Sequence, residues 1–310
     1  MTVSVIIPAY NRIKQTLKTV DLVISSYVKD YQMEVIVTDC SPDDKLKQAL
    51  TKKFNNKIIY TRPTKPGIST NKNQGAKKAK GEILIFCDSD IEVENETIHN
   101  TLQAFKQHPR GAGVGGLVIW KGGKKDGEVD RPEKNDRIFK YKNTSYIEVI
   151  YSRYFATYKD IFHKVGGYDE VLFNMRGEGA DLSTRYWRAG FPLVYNKLIK
   201  VFHRYNLNDS QATRTPYPQQ DIAKDFLILA YKYNMHEKPY PHFSLVMHRY
   251  FKQFGINNQA EFLKGILKHL DLIASVKPYL DENKLKNDLY DFKFLEVFSN
   301  KKLLRECLNL

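Results

Sequence analysis

Cysteine is scarce in this sequence, and its few cysteines lie far apart. The chain of 310 residues contains three, Cys40, Cys87 and Cys307. An odd number of widely spaced cysteines argues against a disulfide framework and is typical of proteins from a reducing compartment. We therefore expect no structural disulfide and a cytoplasmic protein.

Long apolar runs are missing as well. No uninterrupted apolar stretch approaches the ~18 residues of a membrane-spanning helix. The opening residues, MTVSVIIPAYNR, lack a basic region followed by an apolar run, so we expect no secretory signal. The formal net charge is +14, which fits an anionic ligand or a peripheral contact with the anionic inner face of a membrane.

The signatures of two function classes are absent. The sequence has no zinc-finger spacing, no aromatic RNA-binding strand and no basic heptads, so despite its charge we expect no nucleic-acid partner. A nucleotidyltransferase usually carries a glycine-rich phosphate loop directly after its first strand. Here that place reads PAYNRIKQ, without glycine, which disfavours this enzyme class.

Short apolar runs alternate with amphipathic segments through the first ninety residues. Strands are predicted at 3–8, 33–38, 57–60 and 82–86, and helices between them at 14–28, 41–54 and 71–79. This alternation is typical of an α/β fold, with a parallel sheet and helices on both faces. Such sheets bind ligands at the carboxyl ends of their strands, so we expect the functional site there.

The remainder of the chain is predicted to form two regions. Further helices are predicted at 94–107, 160–165 and 181–189, strands at 111–120, within 146–158, and at 192–195 and 199–203, and an exposed loop at 121–142. Residues 205–220 are polar, and only helices are predicted beyond them, at 221–234, 243–254, 259–276 and 282–298. The sequence therefore divides into an α/β catalytic domain, 1–210, and a helical C-terminal extension, 211–310. The amphipathic helix at 259–276 is expected to pack on the first domain, to join a homo-oligomer or to contact a membrane surface.

Two aspartates follow the fourth predicted strand, in the segment LIFCDSDIEV. Asp88 and Asp90, at positions i and i+2, project to one side of an extended chain. Their carboxylates repel each other, and burial of either one alone is unfavourable. Mg²⁺ or Mn²⁺ would stabilise the pair, and the alternative is a solvated strand end. Asp39 follows the second predicted strand and is expected at the same edge of the sheet.

Five segments of the chain together resemble one protein family. In order they read VIIPAYNR, VIVTDCSPDD, GISTNKNQGAKKAKGEILIFCDSD, VGGYDE and GEGADLSTRYWRAGF. They resemble the family 2 glycosyltransferases with the GT-A fold, which implies a mixed, mostly parallel sheet flanked by helices. The resemblance also implies metal-dependent transfer of a sugar from a nucleotide-diphosphate donor, most often a UDP-sugar. The acceptor would be a hydroxyl group of a glycan, lipid-linked or protein-linked, in surface polysaccharide or glycoconjugate synthesis.

The resemblance implies roles for residues at the metal and the donor. In the DxD motif, Asp90 is expected to bind Mn²⁺ or Mg²⁺ and Asp88 to contact the metal or the ribose, while His203 completes the metal shell. Asp39 is expected to contact uracil or ribose, unless it serves as a helix N-cap. Lys72 stands where the family has arginine, and either meets a phosphate or lies on a solvated helix face. The other donor-binding candidates are Pro8, Ala9 and Tyr10 beside the base, and Ser89 within the motif.

The expected catalytic base is displaced in this sequence. The family carries it in a segment reading G-E-D-x-D-L, and Gly179 stands at the position of the catalytic aspartate here. The neighbouring candidates are Glu178 and Asp181, of which Asp181 has an alternative role as an ion-pair partner of Arg185. An inverting enzyme needs such a base. A retaining enzyme, or a non-catalytic subunit that binds nucleotide sugars, would not.

Three residues are candidates for contacts with the acceptor. In the VGGYDE segment, Gly167 allows close backbone approach and Asp169 is expected to contact acceptor hydroxyls. Trp187, on the helix after the expected base, is a candidate for stacking on a sugar ring. Its alternative role is core packing.

Overall fold

A ten-stranded mixed sheet organises the described part of the chain. The structure is a computed structural model that describes residues 1–204 except 110, 123–125, 130–137, 142, 151 and 174–176, together with residues 228, 232, 271 and 272. The strands are β1 (Thr2–Ala9), β2 (Gln32–Asp39), β3 (Ile59–Thr61), β4 (Ile83–Cys87), β5 (Ile91–Val93), β6 (Gly113–Lys121), β7 (Ile138–Tyr141), β8 (Thr144–Ile147), β9 (Tyr154–Tyr158) and β10 (Leu193–Arg204). The helices are α1 (Ile13–Ile24), α2 (Lys45–Phe54), α3 (Ile68–Lys78), α4 (Thr97–Gln107), α5 (Lys159–Lys164) and α6 (Glu178–Arg188), with a 3₁₀ turn at Asn55–Lys57.

The strand order places several carboxyl ends at one edge of the sheet. The order is β3-β2-β1-β4-β9-β6-β10-β8-β7, and β5 pairs with β10 outside this path. β1 pairs in parallel with β2 and β4, and β2 does so with β3. β9 runs antiparallel to both β4 and β6, and β6 is parallel to β10. β1, β2, β3, β4, β6 and β10 therefore run in one direction, which confirms the expected mixed, mostly parallel sheet.

Strand β1 lies in the centre of the core. Its consecutive residues Val5, Ile6 and Ile7 are each 0% exposed, so both faces of the strand are covered. Helix α3 packs so closely on it that a Cβ atom on Gly75 would lie 2.3 Å from Cγ2 of Ile6. Glycine is thus required at the point where α3, which carries Lys72, meets the sheet.

The structure differs from the predicted elements in three places. The two strands predicted at 192–195 and 199–203 form one strand, β10, whose register with β6 is irregular between Asn196 and Lys200. Strand β7 lies within the predicted loop at 121–142. The three-residue strand β5, directly after the DxD motif, was not predicted.

The predicted C-terminal organisation lies almost wholly outside the described residues. This applies to the boundary at 205–220, to the helices between 221 and 298, and to the extension at 211–310 as a unit. The four described residues there, 228, 232, 271 and 272, have helical backbone. Of the helices in the described residues, none combines the length and apolar character of a membrane span.

Candidate functional site

The predicted donor-side aspartates lie at the carboxyl edge of the sheet. Asp39 is the last residue of β2 and pairs with Ala9, the last residue of β1. Asp88 directly follows β4, which flanks β1 on the other side. Sheet pairing therefore places both aspartates at one edge, as the strand pattern predicted.

Asp39 is enclosed by hydrogen-bond donors and is 1% exposed. Its Oδ1 accepts a hydrogen bond from the backbone N–H of Ser41 (2.7 Å), and its Oδ2 accepts one from the hydroxyl of Tyr60 (2.8 Å). The guanidinium of Arg62 lies 3.5 Å from Oδ2. Burial raises the pKa of Tyr60 to about 12, with Arg62 opposing the shift and Asp39 adding to it. Helix α2 begins well beyond Asp39, so the N-cap alternative for this residue is wrong.

The four further donor-binding candidates lie close to these aspartates along the chain. Pro8 and Ala9 end β1 in the core, and Tyr10 beyond them is partly exposed. The carbonyl oxygen of Ala9 accepts hydrogen bonds from the loop after β2 and from α3. Ser89 is buried, and its carbonyl oxygen accepts a hydrogen bond from the hydroxyl of Thr19 (3.0 Å).

The short strand β5 brings Asp90 next to His203. β5 pairs antiparallel with β10, and Ile91 lies opposite His203. Oδ2 of Asp90 is 3.2 Å from Nε2 of His203 and also accepts a hydrogen bond from Arg12. Burial alone would raise the pKa of Asp90, but the opposing effects of His203 and then Arg12 hold it well below its usual range.

The donor chemistry of this pair fits a divalent cation. A carboxylate oxygen and an imidazole nitrogen face each other, and Mn²⁺ accepts both kinds of ligand. Among the described residues, no group of three acidic, histidine or cysteine side chains converges at ligand distances. Mg²⁺ is commonly held by one or two carboxylates, with waters and substrate phosphates as its other ligands. Asp90 and His203 therefore suit a cation that a diphosphate helps to hold.

Lys72 is fully buried, contrary to the solvated helix face that was one of its two expected surroundings. Its Nζ donates a hydrogen bond to the carbonyl oxygen of Ser152 (2.9 Å) and lies 3.4 Å from Oδ1 of Asp88 and 3.5 Å from Oε1 of Glu178. The solvated helix face is therefore wrong. The ammonium lies between the first DxD aspartate and the candidate base, and its contact with a donor phosphate stays a prediction. Burial raises the pKa of Asp88, and the charge of Lys72 partly offsets this rise.

Glu178 is the first residue of α6 and faces Lys72. Gly177, in the left-handed conformation at φ 82°, precedes it as the N-cap. Oε1 of Glu178 accepts a hydrogen bond from the hydroxyl of Ser152 (2.5 Å). Sequence reasoning missed Ser152, because a lone serine between strands carries no signal of its own.

Gly179 is explained by packing. A Cβ atom at this position would lie 3.1 Å from the carbonyl oxygen of Ile150 and 3.3 Å from the backbone nitrogen of Ser152. These neighbours are backbone atoms, which yield less readily than the end of a side chain. An aspartate at this position would therefore require the backbone at Ile150 and Ser152 to shift by a few tenths of an ångström.

We expect that placing the family's aspartate at Gly179 will not create a better base. Gly179→Asp and Gly179→Ala should lose similar stability, about 1–3 kcal/mol each, because the added Cβ causes the overpacking in both. Thermal unfolding measures this loss. A Gly179→Asp variant with wild-type stability and at least tenfold higher turnover would contradict this explanation of the glycine.

Asp181 is held in buried ion pairs, and its expected catalytic role is corrected accordingly. Its side chain is 0% exposed, and its Oδ2 accepts hydrogen bonds from Nη2 (2.6 Å) and Nε (3.0 Å) of Arg185. Its Oδ1 accepts a hydrogen bond from Nζ of Lys232 (2.7 Å). The alternative role as an ion-pair partner of Arg185 is the one present. Lys232, which also bonds to Asp169, carried no signal in the sequence.

The acceptor-side candidates are only partly accessible. Trp187 is 1% exposed, and its Nε1 donates to the carbonyl oxygens of Ile147 (3.2 Å) and Glu148 (3.1 Å). Stacking of Trp187 on a sugar is therefore wrong, because its ring is part of the core. Gly167 adopts a left-handed turn at φ 64°. Asp169 is partly exposed, and its Oδ1 accepts hydrogen bonds from the backbone N–H groups of Val171 and Leu172.

Comparison with known proteins assigns this arrangement to a family. Residues 4–166, more than half of the chain, match the family model described as Glycosyl transferase family 2. N-acetylgalactosaminyltransferase 7 from Rattus norvegicus is 27% identical in an alignment of 254 positions, which covers 70% of this chain and 38% of the relative. The chain thus spans about two fifths of the length of that curated relative.

Two solved structures have a similar fold. A crystal structure of GalNAc-T7 with UDP, GalNAc and Mn²⁺ has a TM-score of 0.58 at 19% identity, over 89% of this chain and 58% of that one. A structure of residues 1–349 of S. aureus TarS in complex with UDP-GlcNAc has a TM-score of 0.55 at 16% identity, over 88% of this chain and 82% of that one. At these identities the likeness concerns the fold alone.

Proposed function

This chain belongs to glycosyl transferase family 2, and on that premise we propose that it transfers a sugar from a nucleotide-diphosphate donor to a hydroxyl group of a glycan acceptor. The observation that carries the proposal is the buried pair of Asp90 and His203 at the carboxyl edge of the sheet, where Asp39 and Asp88 also lie. Within this proposal we take Mn²⁺ as the metal and a UDP-sugar as the donor, because the structure of GalNAc-T7, which has a similar fold, contains UDP and Mn²⁺.

Asp90 and His203 are the residues that would hold the cation. A bound cation would neutralise the negative charge that develops on the leaving diphosphate. Arg12 now shares Oδ2 of Asp90 and supplies a positive charge at the same place. The guanidinium of Arg12 thereby stabilises the charge of this buried carboxylate.

Glu178 is the proposed general base. Its carboxylate would take the proton of the acceptor hydroxyl while that oxygen forms a bond to the anomeric carbon. The bond from the anomeric carbon to the diphosphate oxygen breaks at the same time, and its electron pair leaves with the diphosphate. This displacement inverts the anomeric configuration. Ser152 and Lys72 support the proposal because their contacts with Oε1 fix the orientation of the carboxylate.

Gly179 supports a second candidate, a retaining or a non-catalytic protein. The configuration of the product separates a retaining enzyme from an inverting one, because an inverting enzyme turns an α-linked donor into a β-linked product, whereas a non-catalytic protein forms no product. Proton NMR of the anomeric signal during turnover measures it. A retained configuration would remove Glu178 from the role of base.

For the acceptor we propose a class of molecule rather than one compound. A lipid-linked or protein-linked glycan and the synthesis of a surface polysaccharide or glycoconjugate fit the family. The net charge of +14 favours an anionic acceptor or an anionic membrane surface on the cytoplasmic side. A homo-oligomer through the C-terminal helices stays a prediction.

We expect Asp39→Asn to weaken nucleotide binding rather than chemistry. A hydrogen bond from uracil or ribose to a carboxylate contributes about 1.5–3 kcal/mol, so the dissociation constant of UDP should rise about 10- to 100-fold. Calorimetric titration with UDP and Mn²⁺ measures it. Asp43→Asn, an exposed carboxylate on the same loop, is the matched control and should leave the affinity unchanged. Equal affinities of Asp39→Asn and wild type would contradict the donor role.

A donor panel tests the proposed function. The purified full chain is incubated with UDP-GlcNAc, UDP-GalNAc and GDP-mannose, with Mn²⁺ or with EDTA, and release of free nucleotide is followed. Release from one donor that requires Mn²⁺ is the expected result. The absence of both nucleotide release and nucleotide binding would overturn the proposal.

A further inference from the structure

A single lysine, Lys232, joins the buried carboxylate of Asp181 to the partly exposed carboxylate of Asp169. Nζ of Lys232 lies 2.7 Å from Oδ1 of Asp181 and 2.8 Å from Oδ2 of Asp169. The side chains of Lys232, Asp181 and Asp169 are 9%, 0% and 20% exposed. Ile228, four positions earlier, also has helical backbone and is 0% exposed.

The two carboxylates belong to different segments. Asp169 lies in the loop after the two glycines at 166–167, and Asp181 lies in the first turn of α6, three residues after Glu178. The loop is also attached to α3, because Asn73 bonds to both the N–H (3.0 Å) and the carbonyl (2.8 Å) of Tyr168. Lys232 therefore links a loop that is anchored on α3 to the helix that carries the proposed base.

Removal of the Lys232 ammonium should be unfavourable, because this group neutralises two carboxylates at once. Asp181 also pairs with Arg185, but the ammonium of Lys232 is shared by both carboxylates. Without it, two poorly solvated carboxylates that both lie within hydrogen-bonding distance of one nitrogen position would repel each other. The loop and the first turn of α6 would then separate, and Glu178 would move with that turn.

We infer that Lys232 is a positioning residue, which links the loop at Asp169 to the first turn of α6 and so sets the place of Glu178. This inference rests on the proposed function, in which Glu178 is the base. Lys232 pairs with Asp169, an acceptor-side candidate, and with Asp181 on the helix of the proposed base, whereas the proposed metal and nucleotide contacts lie at the carboxyl edge of the sheet. Loss of Lys232 should therefore affect turnover and leave the nucleotide-binding edge unchanged.

The test compares Lys232→Met, Lys232→Arg and the matched control Lys200→Met, an exposed lysine on β10, in the full chain. Three quantities are measured: amide hydrogen exchange over residues 166–185, the dissociation constant of UDP with Mn²⁺, and the rate of nucleotide release from the donor that the panel identifies. Lys232→Met should accelerate exchange in this region and lower the release rate about 10- to 100-fold, with UDP affinity within about twofold of wild type. Lys232→Arg should recover most of the rate, and Lys200→Met should behave as wild type.

The outcomes separate this inference from the proposed function. Unchanged exchange over 166–185 in Lys232→Met, or a loss of UDP affinity equal to the loss of rate, would overturn the positioning role. If the wild type neither binds UDP nor releases nucleotide, the proposed function fails, and the exchange data alone decide whether Lys232 links the loop at Asp169 to α6. If Lys232→Met does not fold, Asp169→Asn removes the more exposed partner and should give the same pattern in weaker form.

Discussion

Glu178→Gln will lower the rate of sugar transfer about 10²- to 10⁴-fold, while the dissociation constant of UDP with Mn²⁺ stays within about twofold of wild type. Glutamine keeps the shape of the side chain and can still accept the hydrogen bond that Ser152 donates. It has no basic oxygen that would take the acceptor's proton. The loss should therefore appear in kcat and not in the affinity for the donor nucleotide.

The matched control for this variant is Glu170→Gln. Glu170 is an exposed acidic residue of the neighbouring loop, and its carboxylate accepts a hydrogen bond from Asn73. Transfer is measured in steady state with the donor from the panel. Glu178→Gln with wild-type kcat would remove Glu178 from the mechanism and favour a retaining enzyme.

Asp90→Asn will lower metal-dependent nucleotide release about 10³-fold. Stabilisation of a leaving diphosphate by a cation contributes several kcal/mol, and each 1.36 kcal/mol corresponds to about tenfold in rate. Asparagine is a weaker, neutral ligand, and it also leaves Arg12 without its carboxylate partner. Some loss of stability should therefore accompany the loss of rate.

Glu92→Gln separates these two effects. Glu92 is 7% exposed and lies two residues beyond Asp90 on β5, and its carboxylate pairs with Lys18, Lys121 and Arg204. Burial opposes the shift, but these cations lower the pKa of Glu92 to about 2. Glu92→Gln should lose comparable stability in thermal unfolding and keep its response to Mn²⁺. Similar loss of activity in both variants would show that the effect of Asp90→Asn is structural.

The sheet could be predicted from the sequence because its signals are local. The apolar runs of β1, β2 and β4 and the amphipathic helices between them determine a parallel sheet, and with it the edge that carries Asp39 and Asp88. Strand β5 escaped prediction because three residues carry no periodicity. Its pairing with β10 places Asp90 beside His203, a contact that only the resemblance to a family suggested.

The environment of the charged residues could not be predicted in the same way. Lys72 lies in a helix whose lysines and alanines favour a solvated face, and its three partners come from three other segments of the chain. Asp181 and Trp187 show the same limit, since helical spacing does not say which side faces the core. Lys232 meets partners 51 and 63 positions away, and such long-range contacts leave no pattern in a single sequence.

The proposed function depends above all on one property of the edge that contains Asp90 and His203, which is that it binds a divalent cation together with a nucleotide diphosphate. The most direct measurement is titration of the full chain with Mn²⁺, with and without UDP, following the electron paramagnetic resonance signal of the free ion. We predict one bound Mn²⁺ per chain, held at least tenfold more tightly when UDP is present and lost in Asp90→Asn. Mn²⁺ binding that is absent, or that is the same with and without UDP and in Asp90→Asn, would contradict the proposed site.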